Sequence, residues 1–199
     1  MKAKYFMTII LIILVSLLLV NSNLFSKKKE MNVLLLPSLP RPIGKEYALI
    51  TSVGQSTEAY IIEDIANKLM IHNYFMPQAT EGDLEGISTI VLVVGYSPLG
   101  EKLHDSSISN EKKRITELLK KSKDKKLPII TVYLGGKERR DKNTDELLKL
   151  ICPESNYLIG TKEGNYDNCL SKLAKKSEIP LTLTSGLNGI TEPFASAFR

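Results

Sequence analysis

The sequence predicts an α/β fold, a three-layer αβα sandwich around a doubly wound, mostly parallel sheet. Two observations predict it. From about residue 46, short apolar runs that end in Gly, Ser or Thr alternate with longer amphipathic segments, which is typical of βα units. The run Thr89–Gly95 is apolar without alternation, so it is expected to be a central strand with both faces buried. About five strands in the flavodoxin-like order 2-1-3-4-5 fit this pattern.

Six segments have the composition of strands. The second of them, Tyr74–Pro77, is the weakest, and the last is short. The predicted strands are Tyr47–Ser52, Tyr74–Pro77, Thr89–Gly95, Ile129–Leu134, Tyr157–Thr161 and Leu181–Leu183.

The predicted helices lie between these strands, each with apolar residues at helical spacing. Eight Lys or Arg residues lie between 112 and 126, and acidic residues are interleaved with them, so we interpret this run as a solvated helix face. The helices are predicted from Ser56 to about His72, from Ser109 to about Lys125, from Thr144, from Asn165 or Asp167, and after Pro193.

Residues 1–25 predict an export signal. A short positive segment precedes Tyr5–Val20, which is apolar apart from Thr8 and Ser16. Two interpretations stay open. Val20-Asn21-Ser22 suits cleavage by a signal peptidase, whereas Leu24-Phe25 could lengthen the span into an uncleaved transmembrane anchor. In both, the protein is exported and is either secreted or anchored to the cytoplasmic membrane with its domain outside.

Residues 26–45 are expected to form a charged, proline-rich tether, because closely spaced prolines favour extended, solvated backbone. The apolar run Val33–Leu36 could instead form an edge strand or dock on the domain. Residues 46–199 are predicted to form a single α/β domain, long enough to bury a core without further staples.

Charge and cysteine content exclude several partners. The net charge is +5, but residues 1–30 contain five lysines and one acidic residue, so the remainder is nearly neutral and a nucleic-acid partner is not expected. Cys152 and Cys169 could form a disulfide or remain buried free thiols. Neither has a neighbouring histidine, and no metal or cofactor site is predicted.

Ligands of open parallel sheets bind at the carboxyl ends of the strands, so the loops there are the candidate site. The first such loop, Thr51–Thr57, carries small and hydroxyl-bearing residues and runs into a predicted helix N-terminus. The free N–H groups of a helix N-terminus favour an anion. The loop after Ile129–Leu134 places Arg139 and Arg140 beside the glycine pair Gly135-Gly136. Guanidinium groups bind carboxylates or phosphates. The predicted ligand-binding residues are Ser52, Gly54, Gln55, Ser56, Ser97, Gly135, Gly136, Arg139, Arg140 and Asn165.

No catalytic residue is predicted at this edge. The first loop lacks the lysine of a phosphate-binding loop and the further glycines of a dinucleotide fingerprint. Around Ser97, Pro98 has no N–H to donate to an oxyanion, which argues against a nucleophile elbow. His104 beside Asp105 is a weak candidate acid or base.

The strand ends carry a set of short motifs, namely Leu49–Ser56, Thr89–Gly95 with Ser97, Leu134–Gly136 with Arg139 and Arg140, Lys162–Asn165 and Ile179–Thr182. In order and spacing they resemble a family of exported bacterial domains of unknown function, over about residues 47–199. The resemblance implies a small extracytoplasmic α/β domain with polar residues at one sheet edge, and it supplies no activity. Tyr96–Glu101 departs from the family's loop, which is rich in Ser, Lys and Gly.

The leading hypothesis is therefore a domain that binds a small polar or anionic ligand at the carboxyl edge of the sheet. An enzyme of the hydrolase or transferase type, using the same cleft, is the alternative. A non-catalytic protein-interaction module at the membrane is the third hypothesis.

Overall fold

Six strands form the central sheet of residues 35–199, the part of the chain that this computed structural model describes. They are β1 (Ala48–Val53), β2 (Asn73–Phe75), β3 (Thr89–Val94), β4 (Ile129–Tyr133), β5 (Tyr157–Thr161) and β6 (Leu181–Thr184). All neighbours pair in parallel, in the order β2-β1-β3-β4-β5-β6. The predicted fold class and strand order are confirmed, and the sheet has six strands instead of about five.

Six α-helices lie within the same residues. They are α1 (Ala59–Lys68), α2 (Pro98–Leu103), α3 (Ile108–Asp124), α4 (Lys142–Ile151), α5 (Cys169–Ser177) and α6 (Thr191–Ser196). Apolar residues of α3, α4 and α5 pack on one face of the sheet, and those of α1 and α6 pack on the other. Every residue of β1 and β3 is buried, as expected for strands covered by helices on both faces.

The helix starts differ from their predictions, and for α3 and α4 the reason is that a different side chain caps the helix. The Ser56 hydroxyl donates to the Glu58 carboxylate instead of capping, and α1 begins at Ala59. Ser107, not Ser109, caps α3, its hydroxyl accepting from the N–H of Asn110 at 3.1 Å. Further along, Asp141 caps α4 and Asn168 precedes α5. Helix α2, which no pattern predicted, is capped by Ser97.

The described part of the predicted tether contacts the domain. The Leu36 N–H donates to the Leu181 carbonyl at 2.9 Å, next to an isolated bridge between Leu35 and Leu181. Leu39 and Ile43 pack against the core on the α1 and α6 face. Residues 36–44 therefore lie against the domain, because apolar side chains among them meet a hydrophobic surface, whereas Val33 and Leu34 lie outside the described residues.

The predicted leader, residues 1–25, and residues 26–34 lie outside the described residues. Within residues 35–199, no helix is both long and apolar enough to span a membrane.

Both cysteines are free thiols. Cys152 is fully buried at the end of α4, and Cys169 at the start of α5 is partly exposed. Burial, with a smaller contribution from the nearby Cys169, raises the pKa of Cys152 to about 12. Cys152 therefore stays protonated in the folded protein at neutral pH.

This difference predicts selective alkylation. Because the thiolate is the reactive form, iodoacetamide at about pH 8 should label Cys169 in the folded chain and leave Cys152 unlabelled until a denaturant is added. Peptide mass spectrometry before and after unfolding measures both sites. Equal labelling of the two thiols in the folded protein would contradict the burial of Cys152.

Candidate functional site

The loop after β1 is hydrogen-bonded to the loop after β3 at the carboxyl edge of the sheet. The N–H of Gly95 donates to the Val53 carbonyl at 2.9 Å, and the N–H of Ser97 donates to the Gly54 carbonyl at 2.8 Å. Gly54 has a φ of +83°, and a Cβ there would lie 2.9 Å from the Gly95 carbonyl oxygen. Glycine is therefore needed at this position for both conformation and space.

A buried ion pair on α3 holds this loop. Glu111 and Arg114 are joined at 2.6 Å, with side chains 5% and 13% exposed. The Glu111 carboxylate accepts from the Gly54 N–H at 2.8 Å, and the Arg114 guanidinium donates to the carbonyls of Ser52 at 2.7 Å and Ala79 at 2.6 Å. The pair thus fastens α3 to the end of β1 and to the segment that follows β2.

Sequence reasoning missed this pair, since it assigned the whole basic run to a solvated face. For Arg114 that interpretation is wrong. The signal was present in the spacing: Glu111 lies four residues before the buried Ile115, and Arg114 lies four residues before the buried Leu118, so both belong to the inward face of α3.

A second group of polar residues lies on the opposite face of the sheet, at the same edge. Ser56, Glu58 and Arg139 are joined by side-chain contacts, and Ser52 lies on the same face of the sheet; we call these four residues the polar cluster. The Ser56 hydroxyl donates to Glu58, and Arg139 pairs with the same carboxylate at 3.1 Å. Above them is Gly95, where a Cβ would lie 2.9 Å from the Ser56 hydroxyl. The cluster therefore joins the loops that follow β1, β3 and β4.

Ser52 is the unusual member of the polar cluster. It pairs in register with Val93, and its side chain points to the α1 face of the sheet, the face that carries Val93. The residue is 2% exposed, and its hydroxyl has no hydrogen-bond partner within residues 35–199. A buried hydroxyl without a partner is costly, so it requires an explanation.

The two predicted arginines have different roles. Arg140 has a side chain 2% exposed and pairs with Asp145 at 2.6 Å and Asp167 at 3.4 Å. It also donates to the Gly164 carbonyl at 2.7 Å. Burial acts to lower the pKa of Arg140, but the hydrogen bond and charge of Asp145 outweigh it and raise the pKa above its ordinary value. Arg140 thus joins the loops after β4 and β5, whereas Arg139 stays partly exposed beside Glu58.

Three further predicted residues also serve the loops themselves. Gly135 accepts at its carbonyl from the Thr161 hydroxyl at 3.0 Å. The Asn165 amide, 8% exposed, binds both the N–H and the hydroxyl of Ser171 in α5. Ser97 caps α2 through the N–H of Gly100 at 3.1 Å. None of these three side-chain or carbonyl groups belongs to the polar cluster.

Gln55 and Gly136 lie at the borders of the site. The Gln55 amide donates to Glu111 at 3.4 Å, on the ion-pair side of the loop. A Cβ on Gly136 would lie 2.7 Å from the carboxyl carbon of Glu163, so a larger residue there would displace the end of the Glu163 side chain. His104, the candidate acid or base, follows α2 and is exposed. Residues 35–199 contain no group of His, Cys, Asp and Glu side chains that could hold a metal ion.

One protein-family model covers most of the chain. The family model described as "Domain of unknown function (DUF6305)" matches residues 45–198. The chain belongs to this family. The predicted resemblance to a domain family of unknown function is confirmed, and no curated protein matches the chain.

Solved structures that match this DUF6305 chain share little sequence with it. A GDSL-like lipase from Bacteroides thetaiotaomicron is 12% identical, with a TM-score of 0.36, over 73% of this chain and 72% of that one. The SGNH-hydrolase family esterase AlinE4 is 13% identical, with a TM-score of 0.29, over 70% of this chain and 76% of that one. At these scores neither likeness carries an inference about function.

The ion pair on α3 yields a stability prediction. Arg114→Ala leaves the Glu111 carboxylate buried without its partner, so the free energy of unfolding should fall by about 3–5 kcal/mol in urea denaturation. The neighbouring, exposed Lys113 is the matched control, and Lys113→Ala should change the free energy of unfolding by less than about 0.5 kcal/mol.

The double variant Glu111→Gln with Arg114→Met removes both charges, so it should lower the free energy of unfolding by less than Arg114→Ala alone. A cost for Arg114→Ala no larger than that for Lys113→Ala would show that the pair does not hold the loop.

Proposed function

We propose that this domain binds a small, uncharged, hydroxyl-rich ligand at the polar cluster. The observation that carries the proposal is the buried Ser52 hydroxyl, which has no partner within residues 35–199. A ligand hydroxyl that reaches it would remove the cost of leaving it unsatisfied. The proposal favours binding over catalysis because the one hydroxyl–carboxylate pair of the cluster, Ser56 with Glu58, has its carboxylate already engaged in an ion pair with Arg139.

Hydrogen-bond donors and acceptors are mixed at this point. The N–H groups of Ser56, Thr57 and Glu58 donate to no acceptor within residues 35–199, and they precede the first turn of α1. The Glu58 carboxylate of the same cluster provides acceptor oxygens, and the Arg139 guanidinium provides donors. A hydroxyl group both donates and accepts, so a ligand with several hydroxyls can satisfy such a set.

The charge of the cluster favours an uncharged ligand over the anionic class. The positive charge of Arg139 is already paired with Glu58 at 3.1 Å, and the Glu58 side chain is only 16% exposed. An anion would bring a second negative charge against this carboxylate, whereas a neutral polar molecule would not. Export of the domain, predicted from residues 1–25, belongs to the same proposal and would expose the site to extracytoplasmic compounds.

The test is a thermal-shift screen of the full chain against sugars and polyols beside phosphate, sulfate and carboxylates. A ligand at a hundred times its dissociation constant should add about 2.7 kcal/mol of stability. Ser52→Ala should leave the ligand-free protein as stable or more stable, because it removes an unsatisfied hydroxyl, and should weaken the response to the ligand.

The matched control is Ser122→Ala. Ser122 is also fully buried, but its hydroxyl donates to the Leu118 carbonyl at 2.5 Å, so its loss should lower stability and leave the ligand response unchanged. Glu138→Gln, beside Arg139 and exposed, should also leave the response unchanged. Stabilisation by the anions alone, or by no compound, would overturn the proposal.

A further inference from the structure

A cleft of about 920 Å³ opens at the amino-terminal edge of the sheet, opposite the polar cluster. Its walls come from the residues that precede β1, β3, β4 and β5, together with the end of α3. This volume lies in the range of small-molecule sites. None of the residues lining it belongs to the polar cluster.

The charges that line this cleft are predominantly positive. Four lysines, Lys45, Lys123, Lys125 and Lys126, and a single acidic residue, Glu154, line it. A cleft lined by charges of one sign concentrates the potential inside it and attracts ligands of the opposite sign.

The carboxylates beside these lysines neutralise them only weakly. Lys123 pairs with Glu154 at 3.0 Å, but the lysine side chain is 72% exposed. Lys125 pairs with Glu85 at 3.3 Å, and Glu85 is 95% exposed, so the attraction is screened by solvent. Within residues 35–199, Lys45 and Lys126 form no ion pair with any carboxylate.

Helix stability explains only part of this arrangement. Lysines at the end of α3 stabilise the helix because they lie at the negative end of its dipole, and this accounts for Lys123 and the lysines next to it. Lys45 belongs to a different segment. Its backbone is fixed by Thr89, whose hydroxyl accepts from the Lys45 N–H at 2.7 Å and donates to the Lys45 carbonyl at 2.8 Å. The fold thus brings a lysine from a second segment to the same cleft.

Apolar residues complete the lining. Ile43, Ile87, Leu127 and Pro128 belong to the same walls as the lysines. A ligand that suits both kinds of residue carries an anionic group and an apolar portion. We propose that this cleft binds the phosphate group of an anionic amphiphile, with Lys45, Lys123, Lys125 and Lys126 around the phosphate and the apolar residues against the adjoining hydrocarbon.

The experiment measures binding to the full chain by isothermal titration calorimetry at low ionic strength. The probes are a monomeric short-chain phosphatidylglycerol, the matching phosphatidylcholine, and glycerol phosphate, which has no hydrocarbon. Phosphatidylglycerol should bind more tightly than phosphatidylcholine, and its affinity should fall as salt is added. In the double variant Lys45→Gln with Lys126→Gln, the affinity should fall by about tenfold or more.

Lys113→Gln is the matched control, since this exposed lysine of α3 lies outside the cleft. The affinity of this variant for phosphatidylglycerol should equal that of the parent chain. Circular dichroism and melting of each variant verify that it is folded. Tight binding of glycerol phosphate as well would support the phosphate site and identify a free phosphate ester as a source. Equal binding of both lipids, or an unchanged affinity in the folded double variant, would overturn the proposal, and neither result depends on the polar cluster.

Discussion

The Arg114 guanidinium is the group on which the carboxyl edge of the sheet depends. It satisfies two carbonyls from separate segments and neutralises Glu111, whose carboxylate in turn receives the N–H of Gly54. A buried ion pair adds little net stability compared with apolar residues of the same size, but it positions the groups it joins because each partner must be satisfied. Here the group so positioned is the turn after β1, and that turn sets where Ser52 and Ser56 lie on the other face.

The two faces of the sheet edge differ in how completely their polar groups are paired. On the α3 face, Glu111 and Arg114 find partners for nearly all of their donors and acceptors. At the α1 face, the Ser52 hydroxyl and three N–H groups before α1 have none within residues 35–199. Thr57 is exposed to solvent, so the buried Ser52 hydroxyl is the group of this set that a ligand would stabilise most, since folded proteins pair almost all buried polar groups.

The sequence predicted the sheet well because its signals are local. Each strand is a short apolar run, and the unbroken run of β3 places it at the centre. The site was predicted less completely. Neighbouring arginines look alike in a sequence, yet Arg140 is buried between Asp145 and Asp167 while Arg139 faces Glu58. The pairings with Asp167 and with Glu58 span 27 and 81 residues, so the sequence next to the arginines does not reveal them. Helix starts shifted by a few residues for a related reason, because several adjacent Ser, Asp and Asn residues could cap and backbone geometry selected among them.

The two edges of the sheet present different chemistry, and the difference follows from how each edge is built. At the carboxyl edge, helix N-termini and loop carbonyls are close together, so charged side chains there become paired, as Arg139 is with Glu58. At the amino-terminal edge, α3 ends and the chain enters β1, and four lysines meet with one glutamate among them. Such an excess of like charge is unfavourable for the fold by itself, because the ammonium groups repel one another. An anion in the cleft would turn that repulsion into attraction, whereas an added anion at the polar cluster would meet a carboxylate already in place.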